Sequence, residues 1–346
     1  MKGFKRILLW SLIAIIIQQG IFLYIDKIYL STSLSIKAEV VNEDNNDKNE
    51  VKEIPIRDGV EDVKLSSDGR YVAFLENNKL KVIDSKDNSE KEFTGDNLGE
   101  IIYYKWLSDE NNIIAVHKVK EKGVSYFEPI SFDAKKGEAR ELADFDVNKV
   151  RIKVQSTSDT IDDIAFSTAT STLYIKVKKK SGLSDLYSSN IMNQLKKVKS
   201  NELIGKVVVP NTNANAIIEE EKVIRILNSK SKFNISNIKN PKLLGTDVND
   251  TLYVGDEENG KISKIYYAVF TDDNKMWKEI KLNNPVNKED IAVDYFGKVY
   301  VNNRLEGSVL ELTTNKTIEY NGNFVQSYSK GIITKDQGKL VKIHVD

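Results

Sequence analysis

From residue 51 onward the chain alternates short runs of β-branched and aromatic residues with polar turns, and the runs come in cycles. DVKLS (Asp62–Ser66) alternates, with Val63 and Leu65 on one side, and YVAFLE (Tyr71–Glu76) is almost continuously apolar. The first pattern predicts a strand with one buried face, the second a strand buried on both. Ser67-Asp68-Gly69-Arg70 and Asn77-Asn78 punctuate these runs as tight turns, because Gly and Asn accept φ > 0 at little cost. Each cycle closes on a segment of charged and β-branched residues. These segments are VKEIPI (from Val51), KEFTG (from Lys91), AREL (from Ala139), LKKVKS (from Leu195), KFNIS (from Lys232), WKEIKL (from Trp277) and TIEY (from Thr317). Their starts lie about 44 residues apart on average, and a period of that size built from strands indicates a β-propeller with about four strands per blade. The first closing segment follows only polar chain, and the chain ends on three strands, FVQSYS, GIITK and KLVKIHV, with no fourth. The expected fold class is therefore all-β. A seven-bladed propeller over residues 51–346 is closed by an N-terminal strand, Val51–Ile56, which supplies the outer strand of the last blade and removes the free edges.

The N-terminus adds a membrane expectation. Lys2, Lys5 and Arg6 precede an uncharged stretch from Ile7 to Ile25. At 1.5 Å rise per residue it would reach about 28 Å, close to the hydrocarbon thickness of a bilayer. Residues 1–6 are then a cytoplasmic stub, 7–25 a transmembrane helix, and the body extracytoplasmic by the positive-inside rule. A cleaved signal peptide has a shorter apolar region and a small-residue site, neither of which is present here, so the anchor is expected to stay. Residues 26–50 are a linker whose acidic stretch EVVNEDNNDKNEVKE (Glu39–Glu53) is too polar to fold by itself. A calcium loop starting at Asp44 fails, because its sixth and twelfth positions hold Asn49 and Pro55. Hydrophobic residues at 40% suffice for a core, while equal numbers of Lys+Arg and Asp+Glu, 51 each, argue against general nucleic-acid binding. With no cysteine, disulfide and thiolate chemistry are excluded. Abundant Lys, Asn and Ile suggest a low-GC bacterial source.

The repeats carry a family resemblance. SSDGRYVAFLENNKLKVID (Ser66–Asp84) resembles the TolB-type propeller repeat, with Ser67 where that pattern usually has Pro, and WLSDENNIIAV (Trp106–Val116) follows it more loosely. LLGTDVNDTLYVGDEENGKISKI (from Leu243) and DIAVDYFGKVYVNNRLEGSVLEL (from Asp290) resemble NHL and streptogramin-lyase-like repeats. Blades three and four fit neither pattern. The resemblance spans about four of seven blades, and its turn and core signatures imply architecture, not chemistry.

No reacting constellation accompanies the repeats. The chain has no G-x-S-x-G, Asp-box, Walker or dinucleotide motif, and no cofactor or metal is expected. His117 and His344 are read as structural, since both fall in strands and not in channel-mouth loops. No residue is therefore assigned a catalytic role, and the expected function is a binding or scaffolding module of the cell envelope. The alternative is a propeller lyase or hydrolase using channel carboxylates, for which Asp247 and Asp294, at the ends of first strands, are the candidates.

One asymmetry points to a partner. The loops joining second to third strands share a face of the disc. In blades two and three they read HKVKEKG and KVKKKSG, with Lys118, Lys120, Lys122, Lys176, Lys178, Lys179 and Lys180. In blades four and five they carry Glu219, Glu220, Glu221, Asp256, Glu257 and Glu258. Lys118, Lys120, Lys122, Lys178, Lys179 and Lys180 are the expected binding residues, and the expected partner is an envelope protein or an anionic wall polymer.

Overall fold

The computed structural model describes residues 52–344 except 58, 94–98, 108–110, 145, 213, 228–234, 236–237 and 271–275, and also residues 6, 9, 10, 15, 18–20 and 22. The chain divides into two compact units, Met1–Asp47 and Lys48–Asp346. In the first, the described residues are helical and exposed. Among the described residues no helix is long and apolar enough to cross a membrane. Most of the expected 7–25 span, and all of the 26–50 linker, lie outside the described residues.

The second unit is built of seven antiparallel sheets. A first strand, β1 (Lys52–Pro55), leads into blade one, formed by β2 (Glu61–Leu65), β3 (Tyr71–Glu76), β4 (Lys79–Asp84) and β5 (Ser89–Glu92). Blade two holds β6 (Glu100–Trp106), β7 (Asn112–Glu121), β8 (Val124–Asp133), β9 (Glu138–Glu141) and β10 (Ile152–Lys153). Blade three holds β11 (Thr160–Ser167), β12 (Thr172–Lys178), β13 (Ser184–Ser189) and β14 (Leu195–Glu202). Blade four holds β15 (Ile204–Val208), β16 (Ile217–Glu220) and β17 (Val223–Ile226). Blade five is β18 (Pro241–Thr246), β19 (Thr251–Glu258), β20 (Lys261–Val269) and β21 (Lys278–Val286). Blade six is β22 (Ile291–Val293), β23 (Val299–Asn303), β24 (Ser308–Glu311) and β25 (Lys316–Glu319). Blade seven is β26 (Asn323–Tyr328), β27 (Gly331–Asp336) and β28 (Lys339–His344), completed by β1 in the order β1-β28-β27-β26.

The expected closure is present. Lys52, Glu53, Ile54 and Pro55 pair with Lys342, Val341, Leu340 and Lys339. Ile54 is wholly buried beside Leu340, and Lys339 reaches Glu53 at 2.6 Å. Six of the seven expected closing segments contribute outer strands. Most of the one from Lys232 lies outside the described residues, although Ile235 is buried between blades four and five. Blade two departs from the expected four strands. The exposed, charged β9 pairs only with the far end of β8, so the stretch at Tyr126–Phe127 is taken by β10, which buries Ile152.

The first strand of each blade touches the first strand of the next all the way round, so these strands form the inner wall of a ring. In six blades the ladder between first and second strands slips register, as between Glu61 and Lys64 or between Ile161 and Asp163. Such bulges add local twist, which tight packing around an axis demands. Each sheet then has two faces to bury, and the apolar residues sort into seven clusters, one per joint between neighbouring blades. Tyr71, Ala73 and Val82 of blade one face Tyr104, Ile113 and Phe132 of blade two, whereas Val72, Phe74 and Ile83 face Tyr328 and Ile333 of blade seven. This is why YVAFLE is almost continuously apolar. Local turns agree with the sequence: Asn77 and Asn78 both have positive φ, 52° and 59°. Gly69, at φ 72°, also lies against the Tyr328 ring, where a Cβ would come within 2.5 Å of Cδ2.

Removal of residues 1–48 should leave a cooperatively unfolding domain, whereas removal of 1–58 should strip β28 of its partner and expose Leu340. The second deletion loses several ladder hydrogen bonds, each about 1 kcal/mol net, and the packing of Ile54. Thermal melts of the two fragments should differ by many degrees, with aggregation in the shorter. Coincident melts would show that the β1 ladder contributes nothing.

Candidate functional site

The inner strands enclose a central channel of about 660 Å³, lined by residues from all seven blades. Its wall mixes polar and apolar residues in similar measure, and lysines stand at corresponding places in the inner strands of blades one, two and four. Each donates to a backbone carbonyl of the next blade's inner strand. Lys64 donates to Tyr104 at 2.9 Å, Lys105 to Ile164, and Lys206 to Leu244. Two other joints are bridged in kind. Asp163 accepts the Val207 N–H at 3.2 Å, and the Gln326 amide makes a reciprocal pair with the backbone of Leu65, at 3.2 and 3.3 Å. The bulges deliver these side chains to their neighbours, so the channel lining doubles as a set of polar latches.

The charges are nearly paired. Lys64 binds Asp62 at 2.6 Å and Lys105 binds Asp163 at 3.0 Å. Burial works against the Asp163 carboxylate, but Lys105, Lys206 and the Val207 N–H hold its pKa below the usual range. Outside the channel lining, Lys288 reaches back past blade five to Glu219 of blade four at 2.7 Å. Glu219 also accepts the Leu243 N–H at 2.8 Å. Lys206 is pushed down to about 8 by burial and the nearby Lys105 and Lys288 charges, opposed by Asp163 and Glu219. Sequence reasoning missed these lysines. Their available signal was a lysine inside an inner-strand run, as in VKL, YKW and GKV.

The two channel carboxylates named from sequence separate clearly. Asp247 is a turn residue: Oδ1 accepts the N–H groups of Asn249 and Thr251, each at 2.9 Å, and Oδ2 takes the Tyr253 hydroxyl at 3.0 Å. Asp294 occupies the same place in blade six, and its Oδ1 takes the N–H groups of Phe296 and Lys298 at 2.9 and 2.8 Å. Its Oδ2, however, is buried without a hydrogen-bond partner among the described residues, as are the hydroxyls of Tyr300 and Tyr328 and Oε1 of Glu311. Burial pushes Asp294 up to about 6 despite those backbone N–H bonds. Asp294 lines the channel and Asp247 does not. The two histidines are placed as expected, in strands. His117 of β7 is buried, accepts the Gly99 N–H through Nδ1 at 3.1 Å, and has its pKa lowered by burial. His344 ends β28, edge-on to Tyr328.

The basic loops need correction. Lys118 and Lys120 lie in β7 and Lys176 and Lys178 in β12, because pairing runs almost to the tip. In blade two the turn is reduced to Lys122-Gly123, whose φ values of 48° and 82° suit a two-residue hairpin. Lys176 is buried against Asp162. Lys179 pairs with Asp185 at 2.8 Å. Burial opposes ionisation of that carboxyl, yet Lys179 and Lys197 hold it down to about 2. Lys178 lies 3.9 Å from Asp162. Of the six lysines expected to bind, Lys118, Lys120, Lys122 and Lys180 have no carboxylate in ion-pairing range among the described residues. The acidic half is more fully consumed, since Glu219, Glu220 and Glu257 all have cationic partners.

No family model matches the chain, and no curated protein matches it in sequence. Solved structures do match in fold. The β-propeller domain of Myceliophteria thermophila Cps50 (Swd1) aligns over 86% of this chain and 100% of that one, with TM-score 0.50 and 9% identity. A chain of the mitotic checkpoint complex aligns over 85% and 90%, with TM-score 0.51 and 9% identity. A looser likeness, TM-score 0.45 at 14% identity over 76% and 84%, is to the β-propeller domain of the trilobed protease from Pyrococcus furiosus. These likenesses concern the fold alone.

Asp294 makes a pH prediction. Its folded pKa, about 6, lies above the unfolded value, so its contribution to stability is full below about pH 4 and is lost as pH rises through 6. Asp294→Asn keeps the Oδ1 acceptor and cannot ionise. Urea unfolding at pH 4 to 7 should show the variant gaining on the wild type by up to about 3 kcal/mol across that window. A pH-independent difference would mean that the carboxyl titrates normally.

Proposed function

We propose that this chain is a membrane-tethered, extracytoplasmic β-propeller that acts as a non-catalytic binding or scaffolding module in a bacterial envelope. In this reading residues 7–25 form the anchor, with 1–6 in the cytoplasm and 26–50 as the tether. Propellers commonly serve as protein-binding scaffolds. The observation that carries the proposal is the long β7–β8 hairpin of blade two, which presents Lys120 and Lys122 exposed and Lys118 half-buried, none of them neutralised by a described carboxylate. Lys180, on the turn of blade three, extends that field. Lys178 and Lys179, part of the original set, are secondary because Asp162 and Asp185 lie against them. The partner proposed is an anionic wall polymer or an acidic face of an envelope protein. The TolB-type resemblance of blade one is compatible with such a role.

A second reading, a lyase or hydrolase, is favoured by one observation: the unpartnered Oδ2 of Asp294 in the channel wall. Asp247 is no longer a candidate for it, since both its oxygens are occupied. Lyase and glycosidase assays with wild type and Asp294→Asn test this reading, and activity abolished by the substitution would establish it.

For the binding reading, single Lys→Ala changes should do almost nothing, because salt screens exposed charges over about 8 Å. Replacing Lys118, Lys120, Lys122 and Lys180 together by Glu should abolish co-purification of envelope material, and raised salt should weaken the wild type's retention. Equal recovery from both proteins would refute the basic face.

The anchor is tested separately. Protease added to protoplasts should remove the body and leave a membrane-embedded stub. Full protection of residues 51–346 in sealed cells would overturn the extracytoplasmic assignment.

A further inference from the structure

The channel holds one ammonium that is not ion-paired among the described residues. The Asp163 and Glu219 carboxylates act on it only from beyond pairing distance, and Asp294, which ionises at about 6, stands in the blade-six part of the same wall. Lys64, Lys105 and Lys288 each have a carboxylate within 3.0 Å: Asp62, Asp163 and Glu219. Lys206 has none in ion-pairing range among the described residues, and its ammonium donates to the Leu244 carbonyl. An ammonium carries three donors, so two remain for whatever occupies the channel. Lys105 stands close enough to depress its proton affinity, and the Asp163 and Glu219 carboxylates offset its desolvation only in part. The surroundings are mixed: Leu65, Ile164, Val207, Leu244, Val293 and Val325 line the same space as Thr246, Asp294, Gln326 and Ser327. Gly245 widens it. A Cβ there would meet Lys206 Nζ at 3.9 Å and Val293 Cβ at 3.7 Å, with no backbone obstacle.

We propose that the channel binds a small organic carboxylate, its anionic group held by Lys206 with Lys105 alongside, and its apolar body lying along the inner-strand wall. A volume of about 660 Å³ falls in the range of small-molecule sites, which are mostly apolar with a few placed polar groups. Bare phosphate fits less well, because it has no apolar body to cover Leu244, Val293 and Val325. The site is separate from the lysines of the β7–β8 hairpin, so it stands or falls independently of the proposed outer binding face. Binding also carries a proton signature. A carboxylate favours the charged ammonium, so at pH 8 the complex takes up protons, and affinity falls as pH rises further.

Calorimetry on the full-length protein in a neutral detergent tests this, with hexanoate, inorganic phosphate and uncharged hexanol as probes. The wild type should bind hexanoate, with proton uptake at pH 8 revealed by buffers of different ionisation enthalpy. Lys206→Met should weaken binding at least tenfold. Lys206→Arg should keep the affinity and abolish the proton uptake, which a merely structural lysine would not do. Gly245→Leu leaves the charge in place and fills the cavity, and it should also abolish binding. The four-Glu hairpin variant should bind as the wild type does. The proposal is overturned if hexanoate does not bind the wild type, if hexanol or phosphate binds as tightly, or if Lys206→Met or Gly245→Leu binds unchanged.

Discussion

A sheet has two faces and two edges, and none of the four can be left in contact with water at low cost. In this ring the faces are dealt with by repetition and the innermost edges by the axis, but the circuit is completed by a single ladder, β1 on β28. Without it, blade seven is a three-stranded sheet lacking the strand that carries Ile54 and leads to Ile56. Those two side chains help fill the joint to blade one, so the ladder supports two interfaces at once. The charged residues around it, Lys52, Glu53 and Lys339, are suited to an outer edge, where Pro55 can also be tolerated.

The inner wall meets a different demand. Strands converging on an axis bring backbone groups of adjacent blades close together without pairing them in a ladder. Lysine, aspartate and glutamine at the bulged positions supply hydrogen bonds there, and five of the seven joints are bridged this way. The joints between blades five, six and seven lack these particular bridges and instead present Gly245, Ala292 and Val293 to the channel. The lysine latches therefore lie on one side of the channel, while blade six adds Asp294 to the wall beside Ala292 and Val293.

Much of the architecture was legible because propeller blades repeat local signals. The period, the closing segments and turns such as Asn77-Asn78 depend on contacts a few residues apart, and even the N-terminal closure follows from counting strands. The extra strand of blade two was not legible, since Ile152–Lys153 is too short to carry a period. Charge was harder still. Lys118, Lys176 and Lys179 look alike in sequence, yet one is half-buried with no ion pair among the described residues, one is buried on Asp162, and one is tied to Asp185. Partners from other strands decide those fates. Asp247 and Asp294 likewise sit at matching places in matching turns. What separates them is where Tyr253 and Tyr300 can direct their hydroxyls.

The closing ladder also fixes an order of events during synthesis. Lys52 leaves the ribosome long before Lys342, yet the two are neighbours in one sheet. Blades one to six can assemble as their segments emerge, because each finds its strands in succession. β1 must wait, unpaired, for β28. Throughout that interval the nascent ring is an open arc with reactive ends, and closure over so long a stretch of chain is the slow, entropically demanding step. A ribosome stall before β28, or loss of β28 to a protease, would therefore release the whole circle and not merely trim one blade.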